Sequence, residues 1–149
     1  MELSKIIIKI IMFKYHGWIE LRHSALELDW TEAKMNYSEY RSHLLSIVEE
    51  LRNICEAEFN IKKINFSIID GTNGIIAIHI SGQENHYSSG IERMLDWIKE
   101  HAPLSHGLIY LSDSGIDDMC GKYKVLRLAQ NSISELEDVF LSPFKKKIE

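Results

Sequence analysis

Apolar and polar positions along this chain repeat in two periods, near two residues and near 3.6, and the switches between them mark its elements. Ile64-Asn65-Phe66-Ser67-Ile68 alternates strictly, as a half-buried strand does. Asp70-Gly71-Thr72-Asn73-Gly74 then has turn chemistry, with two glycines free to take positive φ. Ile75 to Ile80 follows as a nearly unbroken apolar run with His79 its only polar member, so the pair reads as a hairpin. A second hairpin is expected further on. Leu108 to Leu111 is apolar throughout; so short a run fits a helix as well, but Gly107 before it and Asp113-Ser114-Gly115 after it favour a buried strand. Lys122 to Leu128 supplies an antiparallel neighbour, and Asp113, Asp117 and Asp118 fall on the loop between them with Gly115 and Gly121.

The longer period appears twice. Tyr37, Tyr40, Leu44, Val48, Leu51 and Cys55 recur at spacings of three and four, opposite Glu39, Arg41, Ser42, Ser46, Glu49, Glu50 and Asn53. Two capping boxes compete to start this helix, Asp29-x-x-Glu32 and Asn36-x-x-Glu39. Ser81 to His86 leads into a second helix, which Ser89 and Glu92 would cap and Pro103 would end. Its stripe is Ile91, Met94, Leu95, Ile98 and Ala102. Trp97 lies about 120° off that stripe, so it either packs at the rim or stands exposed as a partner anchor.

The N-terminal run Ile6-Ile7-Ile8-Lys9-Ile10-Ile11-Met12-Phe13 is rich in β-branched residues and reads as the start of a long strand reaching Arg22. Trp18, Glu20 and Arg22 hold one face, Ile19 and Leu21 the other, and Gly17 is a candidate bulge. Lys9 and Lys14 interrupt the run and no small-residue cleavage site follows, so it is read neither as a signal peptide nor as a membrane span. A cytoplasmic protein is expected. At the other end, Ser132 to Asp138 reads as polar and acidic, Phe140-Leu141-Ser142-Pro143-Phe144 as apolar, and Lys145 to Lys147 as a solvated basic run.

The order is therefore β-α-β-β-α-β-β. The expected fold is α+β: one mixed, mainly antiparallel sheet of about five strands with both amphipathic helices on one face. Residues 1–149 form a single domain. Its core is expected to contain Leu44, Val48, Leu51, Ile78, Ile80, Leu95, Ile98, Leu108 and Tyr110.

Composition narrows the chemistry. Seventeen basic against 22 acidic residues give a formal net charge of −5, a sign that favours a basic protein partner over nucleic acid. Cys55 and Cys120 form no metal or redox spacing and read as reduced thiols. No nucleotide-binding loop, nucleophile elbow or zincin motif occurs. The seven histidines are scattered singly, although a folded sheet could gather His16, His79 and His106. No cofactor is expected.

Four short stretches, Tyr15-His16-Gly17-Trp18, Ser81-Gly82 with Asn85-His86, Gly107-Leu108-Ile109-Tyr110 and Phe140-Leu141-Ser142-Pro143 just after Asp138, together resemble the immunity protein 7 family. The resemblance runs from about Met12 to Glu149. Residues 1–11 precede the family's usual start, as an extension or because Met12 is the initiator. Tyr87 stands where the family tends to have Arg, and Phe144 where it commonly has Cys. The resemblance implies a cytosolic bacterial antidote of polymorphic-toxin and contact-dependent-inhibition systems. Such a protein binds the C-terminal domain of a cognate toxin, often a nuclease, and neutralises it without catalysis.

Cognate specificity needs surfaces that differ between pairs, so recognition is expected on exposed acidic positions: Asp113, Asp117 and Asp118 on the hairpin tip, and Glu135, Glu137 and Asp138 beyond it. Trp97 and Tyr87 are the candidate aromatic anchors. Neither direct nucleic-acid nor membrane binding is expected. A histidine-lined pocket in a small enzyme or ligand-binding domain is the alternative reading.

Overall fold

The computed structural model describes residues 12–23, 37–61, 64–70, 75–85, 87–114 and 121–143. Its elements are β1 (Phe13–Leu21), α1 (Tyr37–Ala57), β2 (Asn65–Asp70), β3 (Ile76–Glu84), α2 (Gly90–His101), β4 (His106–Asp113), β5 (Lys124–Ala129) and β6 (Ser132–Glu137). The six strands make one sheet in the order β2-β3-β1-β4-β5-β6. Both helices pack into one core with it, as the α+β reading requires. Two details differ from expectation. Every ladder among the described residues is antiparallel, so the sheet is not mixed. The polar stretch after β5 is a sixth strand, joined by a two-residue turn in which Gln130 and Asn131 both take positive φ, 51° and 55°.

β1 lies at the centre because its alternation suits a strand with two neighbours. Phe13, Tyr15, Ile19 and Leu21 are buried on the helix side. The register carries that face to Ile78 and Ile80 of β3, Ile109 and Leu111 of β4, and Leu126 and Leu128 of β5. The stripes of both helices close over these residues in a single cluster that includes Leu44, Val48 and Leu51 of α1 and Met94, Leu95 and Ile98 of α2. Leu51→Ala or Leu95→Ala should therefore cost about 2–5 kcal/mol in denaturant melts.

Leu108 and Tyr110, expected in this core, point to the other face of the sheet, and Ile109 and Leu111 are the buried pair. Four apolar residues in a row carry no alternation, so the phase of β4 comes from pairing with β1. Gly17 is no bulge, since both ladders pass through it without a break. Instead, the strands come so close that a Cβ on Gly17 would stand 2.7 Å from the Ile109 Cα, and one on Gly107 would stand 2.7 Å from the Ile19 Cα.

β3 runs on through Ser81 and Gly82 to Glu84, four residues past its expected end. Gly82 lies opposite Tyr15 and gives its ring the room a side chain would fill. At the start of α2 the expected capping box is not formed. Ser89 makes no side-chain cap, the Gly90 N–H donates to Ser88 Oγ at 3.1 Å, and Glu92 is engaged by Tyr87. Asp29, Glu32 and Asn36 of the two capping boxes expected for α1, the side chain of Tyr37, and the strand expected over residues 6–11 lie outside the described residues, while Glu39 sits in the first turn of α1. Among the described residues, no helix is long and apolar enough to cross a membrane.

Candidate partner-binding surface

The register sorts the charged residues onto opposite faces. Glu84, Asp113, Glu135 and Glu137 fall on the helix side, in line with Phe13 and Leu126 and with Lys124 of β5. Tyr87 packs edge-on against Phe13, with ring centroids 5.2 Å apart, and its hydroxyl donates to Glu92. Burial raises the Tyr87 phenol above its ordinary pKa, the Glu92 hydrogen bond and charge add to this, and Glu135 and Asp113 add further. Tyr87, Glu92, Asp113 and Glu135 thus share one acidic neighbourhood. Lys124 pairs with Glu135 and lies opposite Glu137 in the β5–β6 ladder.

The expected surface residues do not all face outward. Glu135, Glu137 and Tyr87 are exposed. Asp113 is only 5% exposed and Asp138 only 7%, so both carboxylates are largely withdrawn from a partner. Asp138 accepts the Phe140 N–H at 3.2 Å and the Leu141 N–H at 2.6 Å, and the Ser142 hydroxyl lies 3.4 Å from it. Ser142 Oγ in turn accepts the Tyr123 N–H at 2.7 Å. Asp138 is therefore a clamp that shapes the C-terminal loop. Trp97 is half-buried against the core and stacks on His101 at 3.9 Å, which is the rim packing its angle allowed. Asp117 and Asp118 lie outside the described residues.

The clamp holds out residues that sequence reasoning passed over. Val139 is 79% exposed and Phe140 87%, with Leu141 half exposed beside them. Large apolar side chains at such exposure, on a loop tied by its own hydrogen bonds, have the features of binding hot spots. The one available signal was the apolar run directly after three acidic residues. A groove of about 930 Å³ adjoins this loop, lined by Tyr123, Lys124, Glu135, Leu136, Glu137 and Val139 among others. Glu135 and Glu137 reach it from the helix side of β6 and Leu136 from the opposite side, so the groove follows the end of the edge strand.

The other face of the sheet carries a different chemistry. His16 stacks on Tyr110 at 5.3 Å, Tyr123 meets both rings edge-on, and Trp18 meets His106 edge-on. His106 and Arg22 both lie on Glu20, at 2.8 and 3.2 Å. Among the described strand residues, Glu20 is the only acid on this face, against Lys14 and Arg127. Burial lowers the His16 pKa, and His79 nearby lowers it further. The sheet does bring His16 and His79 together, yet no group of His, Cys, Asp or Glu with metal-holding geometry occurs among the described residues.

Burial also acts on Cys55 and Tyr15, which lie in the core. Desolvation pushes the Cys55 thiol up to about 12 and the Tyr15 phenol up to about 12, with Glu84 adding to Tyr15. Both stay protonated at physiological pH. A protonated, buried Cys55 is a packing residue rather than a nucleophile. Cys120 lies outside the described residues.

A helix-backed antiparallel sheet thus holds out an acidic edge and a pinned apolar loop. The family model for immunity protein 7 matches residues 12–149, and the chain belongs to that family. The match begins at Met12, where the resemblance read from the sequence begins. No curated protein and no solved structure matches the chain.

Proposed function

We propose that this protein neutralises a cognate toxin domain, a nuclease of a bacterial polymorphic-toxin or contact-dependent-inhibition system, by binding it in the cytoplasm without catalysis. Membership of an immunity family supports the antidote role. The observation that carries the mechanism is the joining of an acidic edge to an exposed apolar loop. A nuclease holds phosphates with positive charge around its catalytic groove. Carboxylates on a rigid strand compete for that groove at little ordering cost, and the apolar loop adds desolvated contact. Glu135 and Glu137 with Val139, Phe140 and Leu141 form this surface, with Tyr87 at its margin. Asp117 and Asp118, which lie outside the described residues, stay in the proposal on their acidity alone, and buried Asp113 contributes through its field.

The test is binding to, and protection against, the toxin domain encoded in the neighbouring open reading frame. Complexes of this kind bury about 1,600 Å² in total. Glu135→Lys with Glu137→Lys should slow association at least tenfold and flatten its dependence on salt. The melting temperature should move by no more than a few degrees, because exposed ion pairs contribute little to stability. Stopped-flow association at two ionic strengths checks this; a double reversal that binds and protects like the parent would refute the acidic surface. His16, His79 and His106 changed singly to Ala should leave protection intact, whereas a histidine-based activity would be lost.

A further inference from the structure

We infer that the outer edge of β6 is a strand-addition site, at which an extended basic segment of the toxin pairs its backbone with the sheet. This rests on the neutralising role proposed above and specifies how the same surface is engaged. The Asp138 N–H donates to the Tyr123 carbonyl at 3.2 Å, so Asp138 faces β5. Backbone groups alternate in direction along a strand. Continuing the ladder in which Glu137 lies opposite Lys124 turns the N–H and C=O groups of Ile133, Glu135 and Glu137 away from β5. Among the described residues, no backbone bond takes these donors and no strand pairs beyond β6.

An unpaired edge is a template for another strand, and strand addition is an established way for a sheet to bind an extended segment. Charge selects the occupant. Antiparallel pairing of β6 with a second copy would bring two rows of Glu135 and Glu137 against each other, and facing like charges are destabilising. A strand bearing Lys or Arg gains from the same carboxylates. The groove at the end of β6, with Tyr123, Leu136 and Val139 in its wall, can take a side chain of the added strand while its backbone pairs with the edge. The site is continuous with Phe140 and Leu141, so one partner segment can engage both.

The experiment follows amide hydrogen exchange by NMR, with the inactivated toxin domain from the neighbouring frame as titrant. In the free protein the Ile133, Glu135 and Glu137 amides should exchange faster than those of Ser134 and Leu136, which face β5. At saturation they should slow at least tenfold. In parallel, Glu135→Gln removes the charge alone, while Glu135→Pro also removes an outward N–H that the β5 ladder does not use. Glu135→Pro should lose at least tenfold more affinity than Glu135→Gln. A complex in which the three amides still exchange as in the free protein, or equal affinity of the two variants, overturns strand addition and leaves the neutralising role standing. Protection that appears in the free protein and grows with its concentration places a second copy on the edge and likewise overturns it. No complex with the parent protein overturns the neutralising role itself, and this inference with it. If Glu135→Pro does not fold, the exchange measurement on the parent decides.

Discussion

Gly107→Ala and Gly17→Ala are each expected to leave little folded protein. In both, the added Cβ would meet backbone: the Trp18 carbonyl and Ile19 Cα for Gly107, the Leu108 carbonyl and Ile109 Cα for Gly17. Backbone in the middle of a six-stranded sheet cannot rotate away as a side chain can. Relief requires β1 and β4 to separate, and these two strands carry the centre of the core. A loss beyond about 4 kcal/mol falls in the exceptional range for one substitution, and a small domain has only about 5–15 kcal/mol in total. Gly82→Ala provides the contrast, because its Cβ would meet the Tyr15 ring and hydroxyl rather than backbone. The Tyr15 hydroxyl is buried without a hydrogen-bond partner among the described residues. Adding Tyr15→Phe should therefore raise the melting temperature of Gly82→Ala. Soluble yield and thermal melts of the four variants check these outcomes. A folded Gly107→Ala protein within 1 kcal/mol of the parent would show that the strands are not so close.

These glycines mark a boundary between what sequence could and could not convey. Gly17 was visible inside an alternating strand and Gly107 at the head of an apolar run, but a glycine at such a place reads as a bulge, a strand boundary or a close approach. Only the register separates these readings. The helices were legible because their stripes recur over several turns, whereas the angle of Trp97 left rim packing and exposure both open, and it packs at the rim. β6 was missed for a specific reason. Its turn is Gln130-Asn131, which lacks the glycine that usually announces a two-residue hairpin, and both residues hold positive φ regardless. Four of its six residues, Ser132, Ser134, Glu135 and Glu137, are polar, as suits the solvated rim of an edge strand, and the two apolar ones, Ile133 and Leu136, fall on opposite faces. A strand without apolar alternation has no periodic signal to detect.

The candidate site was half legible for a related reason. Acidity along the chain singled out Glu135 and Glu137, which are exposed, but it did not tell them from Asp113 and Asp138, which are turned inward. Asp138 looks like its neighbours until Phe140 and Leu141 bring their N–H groups to its carboxylate. An aspartate two or three residues before backbone donors is turn chemistry, and in a run of acids that signal is masked. Likewise, the apolar run after it resembles core until the clamp at Asp138 and Ser142 holds it outside.

Phe140→Ala is expected to produce the largest loss of toxin binding of any single surface change. The side chain is 87% exposed with Val139 and Leu141 beside it, so nothing in the free protein depends on it. Burying a phenylalanine of this exposure against a partner is worth roughly 1.5–3 kcal/mol by transfer. The pinned loop avoids much of the ordering cost that a flexible one would incur. Truncation should therefore cost about 2 kcal/mol or more, or ~30-fold in Kd, mainly through faster dissociation. The melting temperature should stay the same or rise. Asp138→Ala separates contact from presentation. It leaves Phe140 in place but releases the Phe140 and Leu141 N–H groups, so affinity should fall while Phe140 remains able to contact the toxin. The loss at Asp138 should then shrink when Phe140 is already alanine, because the clamp has no anchor left to present. A double-mutant cycle by titration calorimetry measures that coupling. Additive losses would mean that Asp138 supports the fold and nothing more, and an unchanged Kd in Phe140→Ala would move the interface away from this loop.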